Sequence, residues 1–513
     1  MKRPTLVSAG SLNRLLQAAQ QAWIQKDFPQ HLELLERASR LNPSNAGIHL
    51  QLGRAHGLLY DYAAAERSFE LAVRVSPQKA QALATVGVQC RDFRSPDMAE
   101  RYLQRALTQK EATPEMFVEL AELYERLRRV EEAGGLIDRA LSLNPACAPA
   151  LLARARLERQ AGRLDGAAQL LRTFPANADP AIRMRAGYEL GAILDRLGRY
   201  DEAMAAFQQA KALLRPQAER PTMELAVMRK RIQDLIENTP AEVLHRWFDD
   251  SASFQPPHRL ALLGGHPRSG TTLLEQVLDS HPDIVSAEET EIFYDDAYAP
   301  LLRGRPDDIA MHEGLIHATP AQLLSSRQNY FRAMDRSLGQ PVGGRLLIDK
   351  NPSYTFLIPA LVRIFPEIKF LIALRDPRDV VLSCFMQSLP MNQVGAAFLS
   401  LDSAVAEYTA LMSHWQTVKG RLKNPFLEVR YEDMVENLES VARRTLEFLG
   451  VPWDDRVLGF DAHARSKTVR SPTYADVTQP VYKRAVGRWQ HYQKYLEPHL
   501  ARLEPFVREF GYG

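Results

Sequence analysis

The sequence predicts two architectures in one chain: an α-solenoid of helix pairs, then an α/β domain on a mainly parallel sheet. Three observations carry this reading. Proline recurs at Pro43, Pro77, Pro114, Pro145, Pro180 and Pro216, in steps of 34, 37, 31, 35 and 36 residues. Beyond residue 258 short apolar runs alternate with helical stretches. After the first of those runs comes GGHPRSGTT, in which Gly265 and Gly270 hold the spacing of a phosphate-binding loop. At 513 residues the chain is too long for one core. The divisions expected are repeats over 1–216, a helical linker over 217–257 and the α/β domain over 258–513.

The proline steps mark helix-pair units. The clearest copy starts at Tyr188, with Leu190 and Gly191 in a first helix, Gly198 and Tyr200 in a turn, Ala203 and Phe207 in a second helix, then Pro216. Small residues let the two helices approach and Leu and Phe fill the space between pairs. LGRAHGLLYDYAAAERSFELAVRVSP from Leu52 repeats the same order of residue types. Step and order resemble the tetratricopeptide repeat, with about five or six units expected. A stacked array presents a groove suited to a protein or peptide. The stretch MELAVMRKRIQDLIENTPAEVLHRWF then reads as a last helical segment, ended by Gln255, Pro256 and Pro257.

In the second half the runs Leu260–Leu263, Leu346–Ile348, Lys369–Leu374 and Phe426–Val429 read as strands. In parallel sheets the chemistry gathers beyond the carboxyl ends of the strands. There stand the loop Gly264–Thr272, the pair Asp349–Lys350, the pair Arg375–Asp376 and the pair Arg430–Tyr431. The loop opens a helix, so successive backbone N–H groups can converge on an anion. Thr271 and Thr272 occupy the places where a nucleotide triphosphatase has lysine and then Ser or Thr. Such a loop suits a phosphate but not a triphosphate. Its one full charge is Arg268, a planar fork for an oxyanion.

Composition narrows the classes. Hydrophobic content of 45% and charged content of 25% are ordinary for globular protein, and a net charge of +2 gives no reason to expect nucleic acid. Cys90, Cys147 and Cys384 form no metal or redox spacing, which fits a reducing compartment. The N-terminus lacks a sustained apolar segment and no apolar run reaches 18 residues. A cytoplasmic protein with no membrane span and no metal is expected.

PRSGTT after a strand, and a later strand ending in LRDPRDVVLS, resemble the two phosphate-binding segments of sulfotransferases that use 3'-phosphoadenosine 5'-phosphosulfate. Together with the repeats they resemble the bacterial tetratricopeptide-repeat sulfotransferases, and LDSHPDIVSAEET is similar to the corresponding stretch of tyrosylprotein sulfotransferases. The fold implied is a P-loop-like α/β sulfotransferase domain. The resemblance implies that Arg268, Ser269, Gly270, Thr271 and Thr272 cradle the 5' end of the donor, and that Arg375 and Ser383 grip its 3'-phosphate. Taken alone, Arg375 reads as an ion-pair partner of Asp376 or Asp379, and Ser383 as an ordinary helix residue. The resemblance also implies Glu289 as the base for an acceptor hydroxyl, ahead of Glu288, with Lys350 and Arg268 beside the transferred group. It further matches Tyr431, Ser471 and Arg488 to donor contacts; Tyr431 reads equally as a core residue. His266 is an alternative base, although its place in the loop fits packing better.

One departure bears on the acceptor. Where the tyrosylprotein enzymes follow E-E-T with arginine, this chain has Glu291 and then Asp295 and Asp296, which would repel an acidic acceptor. Protein tyrosine is therefore one candidate beside a sugar, lipid or small-molecule hydroxyl. Two other classes stay open: a phosphotransferase on the same loop frame, and a repeat scaffold with a silent sulfotransferase-like domain.

Overall fold

The structure is a computed structural model and describes residues 6–25, 27–93, 95–254, 257–302, 311–466 and 483–513. The chain packs as two compact units, 1–182 and 183–513.

The first unit is five helix pairs: Leu6–Ile24 with Phe28–Leu41, Ala46–Leu58 with Tyr62–Val75, Lys79–Asp92 with Pro96–Leu107, Pro114–Arg126 with Val130–Leu143, and Ala148–Gln160 with Leu164–Arg172. The prolines act as punctuation for two reasons. Pro96 and Pro114 open helices, where a missing N–H costs nothing, while Pro43, Pro77 and Pro145 fall between pairs. In the second and third pairs close approach rests on glycine. A Cβ on Gly53 would lie 2.3 Å from the Phe69 ring, and one on Gly87 would lie 2.5 Å from Leu103. The first helices of successive pairs share charges: Glu122 pairs with Arg91 at 3.5 Å and with Arg156 at 3.0 Å.

The boundary falls in the first turn of a sixth pair of the same design, Pro180–Arg196 and Tyr200–Ala212, the rest of which belongs to the second unit; there Gly191 meets Phe207 as Gly53 meets Phe69. Helices Glu219–Glu237 and Ala241–Asp249 follow and pack into the same unit. Arg229 pairs with Glu407 at 2.5 Å, and Arg421 donates to the carbonyls of Ile236 and Thr239.

The sheet has five strands, β1 (Leu260–Gly265), β2 (Ile284–Glu288), β3 (Leu346–Lys350), β4 (Lys369–Leu374) and β5 (Phe426–Arg430), all parallel in the order β2-β3-β1-β4-β5. Four of these match the expected strands; β2, hidden in DIVSAEE, is additional. Central strand β1 is buried along its whole length, as expected where helices cover both faces. Its neighbours β3 and β4 leave in opposite directions through the sheet, which makes the carboxyl end of β1 the switch point where such sheets bind ligands. Register aligns Lys350 with Leu263 and with Glu288, and Ala373 with Gly265, along one edge.

Candidate active site

The loop begins where β1 runs out. Gly265 has φ of 114°, and a Cβ there would lie 2.3 Å from the Ala373 carbonyl oxygen, so a side chain would push β1 and β4 apart. Thr355 clamps the same residue from β3's side: its hydroxyl accepts from the Gly265 N–H at 2.8 Å and donates to the Gly265 carbonyl at 3.2 Å. Arg268 at φ 72° and Gly270 at φ 92° turn the chain into helix Thr271–Asp279. Ser269, Thr271 and Thr272 are buried around that turn. The first N–H groups of a helix lack partners within it and carry the positive end of its dipole, so this corner has the chemistry to receive an anion.

The second predicted segment meets the first directly. Asp376 caps helix Pro377–Phe385, and Arg375 before it donates from Nη1 to the Arg268 carbonyl at 3.2 Å and from Nη2 to the Ala485 carbonyl. The guanidinium also lies 4.9 Å from the centre of the Tyr431 ring, and the same ring would be 2.6 Å from a Cβ on Gly270. Tyr431 thus has the place of a core residue, buried beside the loop with Arg375 over its ring. From Arg268, Nε donates to Ser383 Oγ at 3.2 Å. The carbonyl of Arg268 thus engages Arg375 while its side chain engages Ser383. Of the two partners weighed for Arg375, the structure has Asp379 at 3.7 Å, while Asp376 pairs with Arg378.

On the other side of β1 a lysine is surrounded by acids. Lys350 is fully buried, with Nζ 2.8 Å from Glu289, 3.4 Å from Glu275 and 3.6 Å from Glu288. Burial alone would lower its pKa, but the carboxylates of Glu275, Glu289 and Glu288 outweigh burial and raise it above the ordinary lysine value. Glu289 is the open member of the group: its side chain is 43% exposed against 11% for Glu288. Its N–H continues the β2–β3 ladder by donating to the Lys350 carbonyl at 2.7 Å. Among the described residues four non-glycines have positive φ, and two of them are Arg268 and Glu289, at 72° and 47°. Left-handed non-glycine backbone is costly and concentrates at functional sites.

His266 is buried, with Nδ1 2.8 Å from the Pro267 carbonyl, and burial pushes its pKa down to about 4. It packs the loop as a neutral ring. Ser471 lies outside the described residues. Arg488 is held by Asp195 of the sixth helix pair, at 2.8 Å and 3.1 Å, because that carboxylate accepts both arms of its fork; Tyr492 shares the carboxylate at 2.7 Å. The segment around Arg488 still reaches the helix that follows Arg375. Asp379 accepts from the N–H groups of Gly487 and Trp489, each at 2.8 Å, and Arg378 stacks over Trp489.

Three site residues escaped the sequence reading. Glu275 could have been found, as a charge inside the apolar run TTLLEQVL. Thr355 and Asp195 carried no local signal, because their partners lie 90 and 293 residues away.

Residues 261–455 match the model of the Sulfotransferase family, and residues 91–146, 135–182 and 152–218 match that of the Tetratricopeptide repeat. An uncharacterized protein of Aquifex aeolicus is 26% identical over 402 residues, covering 75% of this chain and 50% of its own length. The chain thus spans half the length of that relative. Protein-tyrosine sulfotransferase 1 of Danio rerio is 29% identical over 271 residues, which is 50% of this chain and 75% of the fish protein. Among solved structures, the sulfotransferase domain of the Synechococcus PCC 7002 olefin synthase is 22% identical, with a TM-score of 0.35, over 47% of this chain and 90% of that domain.

Proposed function

Since residues 261–455 are a sulfotransferase-family domain behind tetratricopeptide repeats, we propose that the chain moves the sulfuryl group of 3'-phosphoadenosine 5'-phosphosulfate to an acceptor hydroxyl. The observation that carries this reading is the double engagement of Arg268 with Arg375 and Ser383. A donor with a 5'-phosphosulfate and a 3'-phosphate needs two oxyanion sites a ribose apart, and this contact joins two such candidates. The corner Arg268–Thr272 takes the 5' end, Arg375 and Ser383 take the 3'-phosphate, and Tyr431 backs both. A triphosphatase would instead need a lysine in place of Thr271.

The chemistry follows from the lysine cluster. Glu289 accepts the proton of the acceptor hydroxyl, whose oxygen attacks sulfur. As the S–O bond to the 5'-phosphate breaks, negative charge grows on the phosphate oxygen, and Lys350 and Arg268 stabilise it. Ser471 is kept as a contact to the phosphosulfate end. Arg488 serves the donor through its segment, which Asp195 and Asp379 hold beside Arg375. In this division residues 1–216 recruit a protein or peptide, 217–257 couple the parts, and 258–513 catalyse.

Relatives named protein-tyrosine sulfotransferase make peptide tyrosine a candidate acceptor. The acidic run from Glu291 to Asp296 favours acceptors without flanking acids, in contrast to an acidic peptide. The test is transfer of labelled sulfate from the donor to tyrosine peptides of acidic, neutral and basic context and to sugar, lipid and small phenolic hydroxyls. Labelled product with a neutral or basic acceptor is expected. Absence of product from every acceptor, despite donor binding, would favour the silent-domain reading instead.

A further inference from the structure

Glu275 is a buried ionisable group that the roles above leave unused. It lies in helix Thr271–Asp279, the helix opened by the phosphate loop, and is 1% exposed. Oε1 accepts from Ser286 Oγ at 3.0 Å; Oε2 has no hydrogen-bond partner among the described residues and stands 3.4 Å from Lys350 Nζ. Three carboxylates therefore face one ammonium from the loop helix, from β2 and from the residue after β2. Fully ionised, one positive and three negative charges sum to −2 beside a site for an anionic donor.

We propose that Glu275 is a positioning residue for Lys350: it fixes the ammonium from the buried side of the cluster, leaving the open side, where Glu289 sits, for the donor's bridging oxygen. Donor binding then exchanges one partner of Lys350 rather than relocating it, and the exchange frees Glu289 to act as base. This inference rests on the sulfotransferase reading for the role of Lys350.

The charge on Glu275 decides whether the cluster admits an anion. Around it stand Lys350 from β3, Ser286 and Glu288 from β2, Glu289 beyond β2, and Asp279 one turn along its own helix, held 2.8 Å from His463 of helix Phe460–Ser466. Burial pushes its carboxyl up to about 8, against the opposing pull of Lys350 and with Glu288 and Asp279 adding to the rise. Near neutral pH Glu275 is protonated and the cluster carries one negative charge fewer. Above that range it ionises, draws Lys350 inward and opposes the donor.

Two measurements on the full chain test this. Calorimetry with 3'-phosphoadenosine 5'-phosphate from pH 7 to 9 should show the wild type losing affinity by about tenfold or more, as expected for one new charge at short range. Glu275→Gln, which is neutral at every pH, should stay flat. Glu275→Ala should lower turnover by roughly 10²-fold, as for a misplaced catalytic group, and Glu275→Gln should restore most of it. Identical pH profiles in wild type and Glu275→Gln, or full activity in Glu275→Ala, would overturn the proposal. The second measurement is a carbon-13 titration of labelled glutamate, expected to contain one carboxyl titrating above 7 that disappears in Glu275→Gln. If the chain binds no bisphosphate at any pH the sulfotransferase reading fails by itself, and the titration still decides for Glu275: a carboxyl in the ordinary range rejects it.

Discussion

Arg375→Ala tests the donor clamp through a thermodynamic cycle with the ligand. Arg375 is 8% exposed, so solvent screens it little. One nitrogen is committed to the Arg268 carbonyl and another to the Ala485 carbonyl, while Nε is buried without a partner among the described residues. Part of the fork is therefore scaffold and part remains for a ligand. A charge-assisted hydrogen bond is worth about 1.5 to 3 kcal/mol, and the divided fork argues for about 2 kcal/mol here, roughly a 30-fold change in Kd. Calorimetry would compare 3'-phosphoadenosine 5'-phosphate with adenosine 5'-phosphate, which differ only in the 3'-phosphate. The wild type should prefer the bisphosphate, and Arg375→Ala should lose most of that preference while binding the monophosphate nearly as before. Because Arg375 also braces the loop through Arg268, some loss common to both ligands is expected. A loss equal for both would refute the assignment, leaving Arg375 as a brace alone.

Other consequences are as direct. Glu289→Gln should keep bisphosphate affinity while turnover falls by roughly 10² to 10⁴-fold; unchanged turnover would exclude Glu289 as the base. Gly265→Ala should destabilise the second unit by about 3 kcal/mol or more, from overpacking and positive φ together, read as a lower denaturation midpoint; a variant of wild-type stability would mean that β1 and β4 separate freely. Lys211, buried in the sixth pair with its amine on the Phe398 carbonyl, has its pKa lowered by burial to about 7. The unfolded chain then binds more protons than the folded one above pH 7, so this residue's contribution raises stability with pH, by up to about 1.4 kcal/mol per unit, towards the ordinary lysine value. Lys211→Met should lack that slope between pH 7 and 9, and equal slopes would show the lysine charged in the fold.

What the sequence disclosed was periodic or local. Proline steps and the recurring order of residue types marked the helix pairs, because two of the pairs repeat the same contact, Gly53 with Phe69 and Gly191 with Phe207. Loop and strand-end residues were legible because a strand–loop–helix corner is built from contiguous backbone. Strand β2 was missed because its only apolar residues, Ile284, Val285 and Ala287, are interrupted by Ser286, whose hydroxyl serves Glu275. The partner of Arg488 was equally hidden: nothing near either residue in sequence points to Asp195, and a free arginine in a predicted donor segment reads as a ligand contact. Glu275 shows the opposite case, a signal present in the apolar run TTLLEQVL whose meaning depended on a lysine 75 residues away.

The central claim, that the chain holds a two-phosphate donor and not a triphosphate, is tested most directly by calorimetric titration of the wild-type chain with 3'-phosphoadenosine 5'-phosphate and, separately, with ATP and Mg²⁺. The bisphosphate should bind tightly, and ATP weakly whether or not the metal is present. Tight, Mg²⁺-dependent binding of ATP with no affinity for the bisphosphate would contradict the account and favour a phosphotransferase.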